Sequence, residues 1–315
     1  MPEFRPPVFE DAVCIPQLQA CPSRCCEYTF ANIMLWRRHF GTEIARVGDT
    51  VYIRFKKGEH PSYLAPTDGD FEQGVHTLQA LCAREGHPLR VFGYDECGME
   101  RLAAELPVIA RQEFEDEFDY LYNVRDLALL EGKAYHGKRN HIAAFSREHQ
   151  WTYEPLDDHN ADEVHALADE WLAARVAFSG DVDGSLRDEN TAIHELLHHR
   201  AAVGLIGGLI RVEQKPVAFT FGAPLCADTF DTLVEKALPD YAEAYTVINR
   251  EFAARALGDF TYVNRENDVG SEGLRRAKRS YHPVMMVKKT LCTIAQPCTI
   301  AQPDTISQPC CVTGS

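Results

Sequence analysis

The sequence predicts an α/β protein with mixed sheets, built from two halves. Its length of 315 residues fits two domains of ordinary size. Its hydrophobic fraction of 45% and charged fraction of 25% are typical of a globular chain. The second half alternates strand-like and helix-like segments in the order β-α-α-β-β-β-α-β-α-β. Because this order is not a repeated strand–helix–strand unit, it favours a mixed α/β layer.

The first half also alternates between helical and strand-like segments. Residues 27–40 carry apolar side chains at helical spacing, and residues 51–57 alternate as a strand does. Residues 70–86 begin at an Asp and end at a Gly, which is typical of a capped helix. Residues 88–94 and 106–114 are predicted as strands that flank a short helix.

A basic segment joins the two halves. Residues 124–151 predict a short helix, a break at Gly132 and then a helix rich in Lys, Arg and His. The predicted divisions are an N-terminal domain at 1–130, a junction helix at 131–150, a C-terminal domain at 151–290 and a low-complexity tail at 291–315. The tail repeats the hexapeptides TIAQPC, TIAQPD and TISQPC, which predicts disorder because three such units cannot bury a core.

The elements of the second half follow from the same periodicities. The predicted segments are a strand at 151–156, helices at 161–178 and 186–204, a hairpin at 208–222, a strand at 228–236, a helix at 239–257, a strand at 261–266, a helix at 271–280 and a strand at 283–289.

The charge and the cysteines exclude some function classes. The formal net charge of -15 argues against non-specific coating of nucleic acid or anionic membrane, although a local basic groove is compatible with it. The sequence has no apolar run of about 18 residues and no secretory pattern at its start, so a cytoplasmic protein without a membrane span is expected. Of the 11 cysteines, those in CPSRCC would need Cys14 to complete a zinc site, so buried or free thiols are favoured.

Three longer segments resemble a known family. Residues 120–145, YLYNVRDLALLEGKAYHGKRNHIAAF, precede W-x-Y-E-P-L. Residues 234–253, VEKALPDYAEAYTVINREFA, precede 262–284, YVNRENDVGSEGLRRAKRSYHPV. Together they resemble the signatures of a family related to the C-terminal domain of phosphatidylglycerol lysyltransferases. The resemblance covers about residues 20–290. It implies two tandem acyltransferase folds of the N-acetyltransferase (GNAT) type and an acyl- or aminoacyltransferase activity.

The resemblance leaves the donor and the acceptor open. Acetyl-CoA enzymes of this fold hold pyrophosphate on a glycine-rich loop, whereas the matching segment here, VEKALPDYAEAY, has no glycine. Aminoacyl-tRNA is therefore favoured over acyl-CoA, and tRNA is a candidate partner; no other cofactor is expected. The lipid-modifying relatives carry a large membrane module that this sequence lacks, so the expected acceptor is a soluble small molecule or peptide.

Acyl transfer requires a base for the acceptor's proton and a positive group for the oxyanion. The predicted catalytic residues are Glu266, Asp268, Lys278 and Tyr281. The predicted substrate-binding residues are Lys138, Arg139, Asn140, Lys236, Asn264, Arg265, Arg275 and His282. The alternative for the C-terminal segment is an ordinary surface helix with charge pairs such as Glu272–Arg276. We expect instead that this segment and the basic junction helix face a common cavity.

Two other functions remain open at this point. His194-Glu195-x-x-His198 fits the HExxH pattern of zinc peptidases, in which two His on one helix face hold the metal and the Glu acts as base. The pattern is short, and the sequence shows no clear third ligand. A non-catalytic relative that binds a ligand without turning it over is the other alternative.

Overall fold

The computed structural model describes residues 1–21, 23–66, 71–93, 96–180 and 184–295. The helices are α1 Ile15–Ala20, α2 Phe30–Phe40, α3 Phe71–Glu85, α4 Glu96–Glu105, α5 Val124–Leu129, α6 His136–Glu148, α7 Ala161–Ser179, α8 Ser185–His198, α9 Arg200–Val203, α10 Ala244–Ala256 and α11 Glu272–Arg279. The strands are β1 Glu43–Val47, β2 Thr50–Lys56, β3 Pro61–Leu64, β4 Leu89–Phe92, β5 Val108–Glu113, β6 Asp119–Asn123, β7 Trp151–Pro155, β8 Ile206–Val212, β9 Lys215–Cys226, β10 Thr229–Ala237, β11 Tyr262–Asn264, β12 Met285–Val287 and β13 Thr290–Ile294.

The strands form two mixed sheets. The first has the order β1-β2-β3-β4-β13-β5, and the second has the order β12-β6-β11-β10-β9-β8-β7. The pairs β3/β4 and β10/β11 are parallel, and the other named pairs are antiparallel. The predicted mixed α/β architecture is therefore confirmed.

The chain crosses between the two sheets twice. Strand β6 precedes the basic junction helix, yet it pairs with β11 and β12 in the second sheet. Strand β13 follows the second half, yet it lies between β4 and β5 in the first sheet. The tail predicted to begin at residue 291 thus shares its first residues with a buried strand. The remainder of the hexapeptide repeat lies outside the described residues, and the other domain boundaries stay predictions.

Local sequence explains where several elements begin and end. Helix α2 starts at Phe30 rather than at residue 27, because a 3-10 turn, Cys26–Tyr28, precedes it, and it stops at Gly41, whose φ is +54°. The predicted hairpin β8–β9 turns at Glu213 and Gln214, which both have positive φ, as the two-residue hairpin turns that match strand twist require.

Helices cover both faces of the second sheet. Helix α7 packs on β9 and β10, and α8 packs on α7 and on α2 of the first half. On the opposite face, α10 packs on β8, β9 and β10 and also contacts α5 and α6. Because side chains alternate between the two faces of a strand, consecutive residues of β10 reach different layers. This alternation decides which predicted site residues can meet.

Candidate functional site

The basic junction helix and the C-terminal helix line one groove. Its volume is about 490 Å³, and it lies between the first turns of α6 and the length of α11. Its walls are formed by Ala134, Gly137, Lys138, His141, Gly273, Arg276, Ala277 and Ser280. Arg276 is exposed and forms no ion pair with any residue of the described ranges, Glu272 included. The expectation that the two cationic segments face a common cavity therefore agrees with the geometry.

Two cations meet at the ring of Tyr281 at one side of this groove. The Nζ atom of Lys138 lies 3.6 Å from the ring centroid, and the guanidinium carbon of Arg265 lies 4.9 Å from the same centroid. Burial lowers the pKa of Lys138 to about 8, and the nearby charge of Arg265 contributes. Lys138 therefore stays mainly charged at neutral pH, although it loses its proton more readily than an exposed lysine does.

Arg265 also bridges the ends of two strands. Strands β10 and β11 are paired only from Thr229/Tyr262 to Asp231/Asn264, while β10 continues to Ala237. Arg265, directly after β11, donates from Nη2 to Glu235 Oε1 of β10 at 2.6 Å. The ion pair therefore spans the place where the strands are no longer hydrogen-bonded to each other.

Glu266 has the features of a base. Its Oε1 atom accepts a hydrogen bond from Asn32 Nδ2 at 2.7 Å, so Glu266 contacts α2 of the first half. Burial raises the pKa of Glu266 to about 8, against the opposing charge of Lys278. Its backbone has a φ of +55°, a strained conformation for a non-glycine residue that the surrounding contacts must hold.

Lys278 is held by the backbone. Its Nζ atom donates to the carbonyl oxygens of Arg265, Glu266 and Asn267. Since an ammonium has three N–H groups, all of them are used in fixing this loop. Burial lowers the pKa of Lys278 to about 8. The geometry thus favours a positioning role for Lys278 over the predicted direct contact with an oxyanion.

Asp268 and Arg275 hold each other in a turn. Asp268 accepts from Arg275 Nε at 2.9 Å, Tyr120 Oη at 2.7 Å and the Gly270 amide at 3.0 Å. Burial alone would raise the pKa of Asp268, but the hydrogen bonds from Arg275 and Tyr120 outweigh burial and lower it. Arg275 contacts Asp116 as well. This carboxylate is a weak base whose oxygens are already engaged, so Glu266 is the better candidate of the two.

Lys236 does not reach the groove. It is adjacent to Glu235 and therefore points to the α7–α8 face, where Nζ lies 2.8 Å from Glu189 Oε1 and 3.8 Å from the ring centroid of Trp171. The prediction that Lys236 shares a crevice with Arg265 is not supported, because strand alternation separates their side chains.

The remaining predicted binding residues have mainly structural contacts. Arg139 donates to the carbonyls of Leu130 and Gly132. Asn140 contacts His136, and exposed His282 packs edge-on against Tyr135. Asn264 is buried; its amide group donates to Asp119 and to the carbonyl of Arg24, and its Oδ1 accepts from the Glu266 amide at 2.6 Å. Asn264 thus orients the backbone of Glu266.

The sequence analysis did not predict a buried ionic cluster around Lys289. Lys289 Nζ lies 2.7 Å from both Glu27 Oε1 and Asp119 Oδ1, and 3.3 Å from Cys26 Sγ. Burial would lower the pKa of Lys289, but the carboxylates outweigh burial and raise it well above its usual value. The available signal was a lysine inside a strand-like apolar run, MVKKT. The sequence did not indicate its partners.

The same cluster bears on metal binding. Within the described part of the chain, the single group with suitable donors is Cys25, Glu27 and Asp119, whose ligand atoms lie within 4.8 Å of one another. The ammonium of Lys289 already contacts the carboxylates of Glu27 and Asp119. The chain's own cation therefore takes the place that a metal ion would occupy between them. Cys25 and Cys26 of CPSRCC are both buried.

Asp231 is the least satisfied carboxyl near the site. It is fully buried, and neither of its oxygens has a hydrogen-bond partner among the described residues. Burial raises the pKa of Asp231 well above its usual range, and the neighbouring Glu266 adds to the effect. The raised pKa favours the neutral form of Asp231.

The HExxH segment is arranged as a packing element. Glu195 forms ion pairs with Arg37 and Arg38 of α2, which lower its pKa. His194 Nε2 contacts Asp169 at 2.8 Å, and its Nδ1 lies 2.6 Å from Nδ1 of His165. A glutamate held by two arginines is a poor base, so this geometry disfavours the zinc-peptidase alternative.

The chain matches the family model described as phosphatidylglycerol lysyltransferase, C-terminal, over residues 19–293. It belongs to this family. The match takes in both of the segments that line the groove, and it confirms the resemblance noted in the sequence. Among the described residues, none of the helices combines the length and apolar character that a bilayer crossing requires. No curated protein matches the chain.

Solved structures agree with this membership. A conserved protein of unknown function from Bacteroides thetaiotaomicron VPI-5482 is 34% identical, with a TM-score of 0.85 over 94% of this chain and 100% of that one. L-PGS from Bacillus licheniformis is 14% identical, with a TM-score of 0.62 over 92% and 93%. FemX is 9% identical, with a TM-score of 0.56 over 93% and 98%. The low-identity similarities concern the fold alone, and the tandem GNAT-like fold is confirmed. The family and the fold are those of GNAT-like aminoacyl- and acyltransferases.

Proposed function

We propose that this family member transfers an aminoacyl group from aminoacyl-tRNA to a small soluble acceptor. The observation that carries the proposal is the groove between α6 and α11, which has unpaired Arg276 on one wall and Lys138 on the other. A groove of about 490 Å³ is the size of a small-molecule site. Its cationic walls suit the phosphates of a donor despite the chain's net charge of -15.

The start of α10 supports aminoacyl-tRNA over acyl-CoA as the donor. An acyl-CoA enzyme of this kind would place pyrophosphate at a helix N-terminus, where backbone N–H groups and the helix dipole attract anions. Here the segment that leads into α10 carries exposed Asp240 and Glu243 and no glycine. Two carboxylates at that position repel a pyrophosphate.

Glu266 is assigned as the base of the transfer step. The acceptor's amine or hydroxyl attacks the ester carbonyl carbon of the aminoacyl donor while Glu266 takes the acceptor's proton. The carbon–oxygen bond to the tRNA ribose then breaks, and that ribose oxygen leaves with a proton. Asn32, Asn264 and Lys278 hold Glu266 and its loop in place. Tyr281, whose ring contacts Lys138 of the groove wall, is the candidate that returns the proton.

The decisive experiment supplies labelled aminoacyl-tRNA and labelled acyl-CoA separately, with a small-molecule extract as the source of acceptor. We expect label to move from aminoacyl-tRNA into the small-molecule fraction, and Glu266→Gln to abolish the movement. Transfer from acyl-CoA instead would contradict the donor assignment. Retention of the label on both donors would favour the non-catalytic ligand-binding alternative.

A further inference from the structure

Lys289, Asp119 and Glu27 meet at one point away from the groove between α6 and α11. Nζ of Lys289 lies 2.7 Å from Oδ1 of Asp119 and 2.7 Å from Oε1 of Glu27. The side chains of Lys289 and Asp119 are 0% exposed, whereas that of Glu27 is 24% exposed. An amine is therefore held beside a carboxyl group away from solvent, and a second carboxylate contacts the same amine.

The other oxygen of Asp119 is held by two N–H donors. Oδ2 accepts from the backbone amide of Cys26 at 2.9 Å and from Nδ2 of Asn264 at 2.9 Å. Donors in this arrangement stabilise the negative charge that develops on a carbonyl oxygen when its carbon is attacked. The two oxygens of Asp119 thus have different surroundings. Oδ2 is placed to become a carbonyl oxygen, and Oδ1, beside the amine, is placed to leave.

The charges of the three groups suit attack by the amine on Asp119. Burial raises the pKa of Asp119, and the charge of Glu27 adds to burial against the charge of Lys289. Burial would also raise the pKa of Glu27, but the charge and hydrogen bond of Lys289 outweigh burial and lower it. Asp119 is thus the carboxyl that favours its neutral form, which an amine can attack, and Glu27 is the carboxylate that accepts a proton.

We propose that Lys289 and Asp119 form an isopeptide bond spontaneously in the folded chain, with Glu27 as the proton acceptor. Lys289 gives one proton to Glu27, and the neutral amine attacks Cγ of Asp119. The nitrogen–carbon bond forms, and the bond from Cγ to Oδ1 breaks. Oδ1 leaves as water with its own hydrogen and one hydrogen from the nitrogen. The other hydrogen stays on the amide, and Glu27 keeps the proton that it received, so the step needs no oxidant and no co-reactant.

Two physical effects favour the amide over the ion pair. An amine and a carboxyl group held in contact react as if they were highly concentrated, and effective molarities of about 10⁵–10⁸ M are known for well-oriented groups. The amide is also neutral, so its formation removes charges from a place where burial destabilises them.

The bond joins the two places at which the chain crosses between the sheets. Asp119 begins β6 of the second sheet, and Lys289 directly precedes β13 of the first. An isopeptide bond between them closes residues 119–289 into a covalent loop, which restricts the unfolded chain as a disulfide does. This inference goes beyond the proposed transfer function and does not depend on it.

Peptide mass spectrometry on the full wild-type chain tests the bond without any substitution. We expect trypsin to leave Lys289 uncut and to release a branched peptide that contains Lys289 and Asp119 and weighs one water less than its two parts. Lys215 and Glu170 provide an internal control, because they form an exposed pair at the same distance of 2.7 Å and should give no such product. Cleavage after Lys289 with no branched peptide overturns the proposal, and an equal yield from Lys215 and Glu170 overturns the role of burial.

The assigned roles are tested by a time course after cell-free synthesis of the full chain. Lys289→Arg keeps the positive charge but lacks the amine, so it should form no branched peptide. Glu27→Gln should form the bond at least about tenfold more slowly than the wild type, because proton transfer by a positioned group typically contributes about 10²–10⁴-fold. The wild-type chain held in urea should not form the bond, since the three groups meet only in the fold.

Each of these arms has a result that counts against the mechanism. Formation at the wild-type rate in Glu27→Gln removes Glu27 as the proton acceptor. A branched peptide at Asp119 in Lys289→Arg shows that another amine is the nucleophile. Formation in urea at the rate seen in buffer means that the folded geometry does not promote the reaction.

Discussion

Lys289 Nζ lies 2.7 Å from Asp119 Oδ1, and the side chains of both residues are 0% exposed. Asp119 begins β6 of the second sheet, and Lys289 directly precedes β13 of the first. The ion pair therefore lies where the chain crosses between the sheets. It joins segments far apart in sequence behind the candidate active site, through Asn264, which contacts both Asp119 and the Glu266 amide.

Lys289→Met should destabilise the protein strongly. Removing the ammonium leaves the buried Asp119 and the partly buried Glu27 without a counter-charge, and breaking a buried pair typically costs about 3–5 kcal/mol. Urea unfolding measures the loss. Lys215→Met, in an exposed pair with Glu170, should change the free energy of unfolding by less than about 1 kcal/mol. Equal effects in the two variants would show that the buried cluster contributes little.

Glu266 should make the stability fall as pH rises. Its pKa is raised from 4.5 to about 8 in the folded state, so between these values the folded chain binds a proton that the unfolded chain has released. Its stabilising contribution is complete below pH 4.5 and is lost as pH rises through 8, with a slope of up to about 1.4 kcal/mol per pH unit. Glu266→Gln should remove this slope in urea unfolding.

The control for that slope is Glu170→Gln, which changes a half-exposed carboxylate. It should retain the wild-type dependence on pH. A wild type and a Glu266→Gln variant with parallel stability curves would mean that the folded-state pKa of Glu266 is ordinary.

The transfer rate should rise with pH up to about 8, since Glu266 acts as a base only when ionised. Single-turnover rates with aminoacyl-tRNA across this range give the measurement. Asp268→Asn provides the comparison: it should lower stability through the loss of the Arg275 ion pair, yet keep the same rising limb. If Asp268→Asn abolished the limb and Glu266→Gln preserved it, the base would be Asp268.

Arg276→Gln should weaken transfer without affecting folding. Arg276 is exposed on the groove wall and has no ion-pair partner in the described ranges, so its charge is available to a donor phosphate. We expect kcat/KM to fall about tenfold, mostly through KM, because one phosphate contact is worth about 1–2 kcal/mol. Arg147→Gln, at the far end of α6, should have no such effect. A similar loss in both variants would point to general attraction by the whole basic segment.

The HExxH segment should have a structural role. Glu195→Gln breaks ion pairs with Arg37 and Arg38 and should lower the free energy of unfolding by about 1 kcal/mol. His194→Ala and His198→Ala should leave the transfer rate unchanged, and so should a chelator. Stoichiometric zinc together with peptide cleavage lost in His194→Ala would restore the peptidase reading.

The sequence by itself determined the elements whose signals are local. The period of α7 and α10, the hairpin at 208–222 and the helix–break–helix around Gly132 depend on neighbours within a few residues. The turn residues of the hairpin, Glu213 and Gln214, lie one position earlier than the predicted Gln214 and Lys215. The family signatures are also local signals. Most of α6 lies in the first signature and α11 lies in the last, and each signature is one continuous stretch of sequence. Short strands were predicted unevenly, because an alternation of four or five residues is a weak signal. Strands β4 and β7 were predicted, whereas β1, β3, β6 and β13, which are of similar length, were not.

Only the tertiary structure decided how these parts meet. Lys236 and Glu235 are adjacent in sequence, and the sheet's layers determine that one faces Trp171 and the other Arg265. The charged segment around Lys278 predicted a catalytic lysine. In the structure, however, its ammonium donates its hydrogen bonds to three backbone carbonyls. Asp119 meets Lys289 because two strands cross between sheets. Burial and long-range pairing set the charge and orientation of a side chain, and neither is encoded in the spacing of nearby residues.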